Sequence, residues 1–126
     1  MKTKILMVAI ALIFISCSSS KEESTDPVVG IWKLNSITML GQEFINNCKL
    51  KDNIEIRSNK TFTITSHNLD DNCAIETASG NWVSVSNDKY NFSAAGDTQT
   101  FTLVSDNMLT FSFVQNSNTV VYTYIK

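Results

Sequence analysis

The stretch Phe101-Thr102-Leu103-Val104-Ser105-Asp106-Asn107-Met108-Leu109-Thr110-Phe111-Ser112-Phe113 decides the fold of this chain. Phe101 and Leu103 alternate with Thr100 and Thr102. After the polar break Ser105-Asp106-Asn107, Leu109, Phe111 and Phe113 alternate with Thr110 and Ser112. A period of two is the mark of a half-buried strand, and a short Ser/Asp/Asn cluster marks a turn. Strands joined by so short a turn are antiparallel neighbours.

The same pattern continues outward in both directions. Downstream, Val120, Tyr122 and Tyr124 oppose Val121, Thr123 and Ile125. Upstream come Tyr90 with Phe92, Val83 with Val85, Phe62 with Ile64, Ile54 with Ile56, and Trp32 with Leu34. Turn signals fall between them at residues 58–60, 86–88, 95–97 and 115–118. The expected strands are therefore 29–39, 52–58, 61–66, 80–86, 89–94, 99–105, 108–114 and 119–125. Residues 41–51 have the weakest pattern and read as a loop or a short helical turn. Eight sequential strands, each with one apolar face, predict an all-β, eight-stranded antiparallel up-and-down β-barrel, because closure removes the two exposed edges of an open meander. A β-sandwich is the alternative. Such a barrel is either filled by its side chains or holds one small ligand.

Composition agrees. The chain has 126 residues, room for one domain, and is 43% hydrophobic, with 41 Ser, Thr and Asn residues. A net charge of -2 provides no basic field for nucleic acid. No P-loop, HExxH or acid–base–nucleophile set is present, so neither an enzyme nor a bound cofactor is expected. One His and two distant Cys are too few ligands for a metal site.

The first residues read as an address. Lys2 and Lys4 precede an eleven-residue apolar run, Ile5 to Ile15, too short to span a bilayer but right for a signal-peptide core. Phe14-Ile15-Ser16-Cys17 then looks like a bacterial lipobox. The expected organisation is a lipoprotein signal peptide (1–16), a lipidated flexible tether (17–27) and the β-barrel domain (28–126). Cys17 would carry lipid chains such as palmitate, which anchor a protein stably when two or more are attached. Residues 18–27 (SSSKEESTDP) contain no apolar side chain and read as the tether. This places the protein in the cell envelope as an outer-membrane lipoprotein, periplasmic or surface-exposed. An exported chain meets an oxidising compartment, so Cys48 and Cys73 are expected to form a disulfide. A tight turn at residues 58–61 would bring them opposite each other at the open end of that hairpin.

Gly30-Ile31-Trp32 opens the first strand and Gly80-Asn81-Trp82 the fourth in the same style. The order GIWKLNSI, Cys48, IEIRSNKTFTI, Cys73, SGNW and FTLVSDNMLTFSF resembles the bacterial lipocalin-like lipoprotein domain over Val28 to Tyr124. That resemblance implies a lipocalin-like barrel that binds a small hydrophobic molecule. It casts Trp32 as a plug at one barrel end. The domain's single arginine, Arg57, does not match the Arg that packs on the first-strand Trp of larger lipocalins.

Phe62, Phe101, Phe111, Phe113, Tyr122 and Tyr124 are the candidate ligand-lining residues, since apolar pockets are built from such side chains. His67 reads as a solvated loop histidine, and Asp70-Asp71-Asn72 as a turn. Two functions compete: a tethered module that holds a small hydrophobic ligand, and a filled barrel that acts as an interaction or inhibitor protein through its loops. For the second, Ala78-Ser79-Gly80 resembles the inhibitory-loop motif of membrane-bound lysozyme inhibitors. No protein partner is legible.

Overall fold

The computed structural model describes residues 26–126. The expected signal peptide, the expected lipidation site Cys17 and the expected tether up to residue 25 lie outside the described residues. The strands are β1 (Gly30–Met39), β2 (Gln42–Glu43), β3 (Asn53–Ile56), β4 (Thr61–Asn68), β5 (Ala74–Ser84), β6 (Lys89–Ala94), β7 (Asp97–Ser105), β8 (Met108–Gln115) and β9 (Asn118–Ile125). Short 3₁₀ turns cover Lys49–Lys51 and Leu69–Asp71.

From β3 to β9 each strand pairs antiparallel with the next, and β1 pairs with both β3 and β9. The two-residue β2 only folds back on the end of β1. The remaining eight strands close an up-and-down barrel, as the alternation predicts. Residues 26–126 supply all eight walls and the whole described core, so this segment closes the hydrogen-bonded ring by itself. Three hairpins turn on two residues with positive φ: Leu40-Gly41, Ala95-Gly96 and Asn116-Ser117. This is the turn whose twist matches that of the flanking strands.

Three features differ from the sequence reading. First, β5 begins at Ala74 instead of residue 80, because backbone pairing with β4 holds residues 74–79 although their one large apolar side chain, Ile75, is exposed. Ala78-Ser79-Gly80 therefore lies within a strand, opposite Phe62, Thr63 and Ile64, and not in a loop. Second, β1 contains a bulge at Asn35, between the paired residues Leu34 and Ser36. The extra residue shifts the alternation, so that Trp32 and Leu34, then Ile37, are buried. Third, Asp26 and Pro27, expected in the tether, are part of the domain.

Those two residues help close one end of the barrel. Val28 and Trp32 are fully buried, and the Trp32 indole Nε1 donates to the Val28 carbonyl at 2.7 Å. The Tyr90 hydroxyl donates to Asp26 Oδ1 at 2.6 Å. Lys126 reaches back to donate to the Pro27 carbonyl and holds its ammonium 5.2 Å from the centre of the Trp32 ring. The cation over the Trp32 ring is thus a lysine just past the end of β9. Trp82 fills the same end, with Nε1 donating to the Arg57 carbonyl and Lys60 over its ring at 4.0 Å. Gly80 is required beside it: a Cβ there would collide with the Ser93 carbonyl of β6.

Cys48 and Cys73 are bonded, with Cα atoms 5.6 Å apart and a sequence separation of 25. The bridge ties the segment before β3 to the start of β5, at the end opposite Trp32. Closing such a loop contributes about 3.5 kcal/mol in the chain-entropy treatment. Replacing both cysteines by serine should therefore lower the free energy of unfolding by about 2–4 kcal/mol, read from urea unfolding as a lower midpoint with a steeper slope, because the unfolded chain is no longer crosslinked.

Candidate functional site

The two ends of the barrel are built differently. At the Trp32 end the strands are joined by ladder pairs and the interior is filled. At the other end the ladder thins out. Pairing between β5 and β6 covers only Asn81–Ser84, and pairing between β7 and β8 starts at Phe101. The tip of the β6–β7 hairpin, Ala94 to Asp97, thus extends beyond the pairing on both of its flanks. β1 leaves β3 after Lys33, and the following gap is covered by the segment carrying Phe44, Asn46 and Lys49.

Two clefts open there and meet at Tyr122. The first has a volume of about 290 Å³ and runs into the barrel between Phe62, Ile64 and Ser66 of β4, Phe92 and Ala94 of β6, and Asp97, Gln99 and Phe101 of β7. Phe111, Tyr122 and Tyr124 complete its walls. The second, about 310 Å³, lies between Ile37 and Met39 of β1, the Phe44 segment, Leu69, and Phe113 and Val120. Each is at the small end of the range for ligand pockets, about 300–1,000 Å³.

Five of the six residues expected to face a ligand, Phe62, Phe101, Phe111, Tyr122 and Tyr124, line the first cleft. Phe113 lines the second with Tyr122. Their rings form a continuous aromatic chain. Phe62 meets Phe92 edge-on at 5.0 Å, Phe92 meets Phe101 at 4.7 Å, and Phe101 stacks on Phe111 at 5.0 Å. Phe111 then stacks on Phe113 and Tyr122. Edge-to-face and offset contacts of this kind fix ring positions beyond what area burial does. The polar contributors Ser66, Asp97 and Gln99 escaped the sequence reading. Polar residues inside a barrel break the apolar signal on which strand faces are assigned. Their parity with Ile64 and Phe101 was the available clue.

His67 corrects another expectation. It is not a solvated loop residue but sits in β4 with 8% exposure. Its backbone N–H donates to Asp52 Oδ1 at 2.7 Å, and its Nδ1 lies 3.0 Å from the same oxygen. Lys49 donates to the other oxygen of Asp52 at 3.3 Å. One buried carboxylate thus satisfies three donors and pins the wall beside the disulfide. Sequence separation hid this: Asp52 and His67 are brought together only by the β3–β4 hairpin. The Asp70–Asn72 stretch does form a turn, capped by Asn68 Oδ1 on the Asp70 amide.

Tyr124 is 7% exposed. Burial, then the Asp52 carboxylate and Tyr122, push its phenol above the usual range. The Tyr90 phenol is also raised, by burial first and then by its bond to Asp26. For an acid whose folded-state value is raised, stability is intact below the unfolded value near 10 and is lost as pH rises above it. Absorbance titration at alkaline pH should therefore show Tyr90 and Tyr124 silent through pH 10–11. Their ionisation should coincide with loss of the β-sheet circular dichroism. Tyr124→Phe should remove one silent phenol.

The profile of the family described as the lipocalin-like domain matches residues 28–113. Among solved structures, a redesigned beta barrel is similar, with a TM-score of 0.52 over 81% of this chain and 93% of that one, at 13% identity. That likeness concerns the fold alone. No curated protein matches.

Proposed function

Because this chain belongs to the lipocalin-like domain family, we propose that it binds a small hydrophobic molecule in the open end of its barrel while tethered to the bacterial cell envelope. The single observation that carries the reading is the aromatic cleft itself. A barrel of this size has the option of filling its interior, and this one fills only the Trp32 end. The rings of Phe101, Phe111 and Tyr122 provide an apolar bed, and the thin ladder on both sides of the β6–β7 tip gives a ligand a way in. Transfer of apolar surface onto such a bed is favourable by about 25 cal/mol per Å² buried. We assign the role to binding and not to catalysis, since the cleft offers hydroxyl, amide and carboxylate groups without a base held against a nucleophile. The interaction-protein reading loses its main support, because the Ala78–Gly80 motif is held in the β4–β5 ladder.

The envelope location rests on the sequence of residues 1–27. With Cys17 lipidated, the protein would be an outer-membrane lipoprotein whose partner is the membrane itself. The domain's first described residue, Asp26, sits at the closed end, so the tether would leave the cleft free. Cys17→Ser should move the protein from the membrane fraction to the soluble fraction; retention in the membrane fraction would remove the anchor from the proposal.

Binding is tested with the uncharged fluorophore N-phenyl-1-naphthylamine and the segment Asp26–Lys126. Emission should rise and shift to the blue with saturation in the micromolar range. Phe111→Asp, which sets a charge on the cleft wall, should weaken the complex at least tenfold without lowering the disulfide-bonded fraction. A flat titration of the unaltered protein would sink the binding function.

A further inference from the structure

We propose that the first cleft takes uncharged amphiphiles, an apolar body with a head group that accepts a hydrogen bond, and discriminates against carboxylates and other anions. The proposal rests on the binding function above and specifies its ligand class.

Three observations carry it. The first is Tyr124. Its side chain is more than nine-tenths buried and lines the cleft, yet its hydroxyl has no hydrogen-bond partner among the described residues. No fully enclosed side-chain polar atom lacks a partner among those residues. The Tyr124 hydroxyl therefore keeps accessible surface, and Tyr124 is part of the cleft wall. An O–H on this wall offers a donor in a largely apolar site, and a donor that loses its water without gaining an acceptor disfavours binding. A purely aliphatic ligand would incur that penalty, whereas an alcohol, ketone or amide would not.

The second observation is the charge around the cleft. Asp97 is on its wall. No lysine or arginine lines it. Lys49, which faces the neighbouring cleft, is held by Asp52. A ligand carboxylate would enter low-polarity surroundings facing like charge with no cation to compensate, the arrangement by which sites reject a competitor. The third observation is the position of the remaining polar groups. Ser66 and Gln99 stand on opposite walls, from β4 and β7, among phenyl rings. They can orient a single small head group but cannot neutralise an anion.

The test compares decan-1-ol with decanoate at pH 7.5 as competitors for bound N-phenyl-1-naphthylamine, on the segment Asp26–Lys126. Decan-1-ol is expected to displace the fluorophore at a concentration at least tenfold lower than decanoate. Tyr124→Phe should weaken decan-1-ol about fivefold more than it weakens the fluorophore, with an unchanged β-sheet circular dichroism spectrum showing that the variant is folded. Asp97→Lys should strengthen decanoate at least tenfold relative to decan-1-ol. Decanoate within threefold of decan-1-ol on the unaltered protein, or a decan-1-ol affinity indifferent to Tyr124→Phe, would overturn the selectivity while leaving ligand binding standing. Failure of the fluorophore to bind at all would instead overturn the binding function, and this inference with it.

Discussion

The pairing of β1 with β9 is the constraint on which the rest of the molecule depends. β1 is shared between two partners. Its first residues, Gly30 to Lys33, pair with β3, and Lys33 to Met39 pair with β9. One strand thus joins the beginning and the end of the sheet, and the bulge at Asn35 lets it bend to do so. Without this pairing the sheet would keep two free edges, each a row of unpaired amide and carbonyl groups. Trp32 stands where the two pairings meet. It faces Ile54 across β3, and Lys126, just past β9, covers its ring. Closing the ring and plugging its end are one event.

The asymmetry of the barrel follows from where the chain places bulk. Val28, Trp32, Trp82 and Tyr90 gather at one end, where their indole and phenol groups all find partners. That end can pack solid because each polar tip has a backbone carbonyl or carboxylate to meet. At the opposite end β5 presents Glu76 and Ala78 toward the interior side, with little to bury. The ladder loosens there, and the structure is held instead by the disulfide and by the Asp52 carboxylate with its three donors. Stability and openness are thereby separated along the barrel axis.

Much of the strand pattern was legible because large apolar residues repeat every second position in β4 and in β6 through β9. Where that signal lapsed, the reading lapsed with it. Residues 74–79 show no apolar alternation, Ile75 being their one large apolar side chain, and are strand because β4 holds them. His67 looked solvated because its partner is Asp52, fifteen positions away. The six aromatic positions were visible as candidates from alternation alone. Ser66, Asp97 and Gln99 were not, since a polar residue facing the interior reads as one facing water. Lys126 could not be assigned to Trp32 from spacing either, because the contact spans nearly the full length of the domain.

What the sequence by itself determined is the strand number, the antiparallel order and the pairing of the two domain cysteines. These rest on local alternation, short turns and a hairpin register, all of which act between near neighbours. Only the tertiary structure decided that the interior is filled at one end and cleft at the other. That outcome depends on how the volumes of side chains from every wall add up across the barrel. It also depends on the bulge at Asn35 and the early start of β5, which determine the faces those side chains occupy.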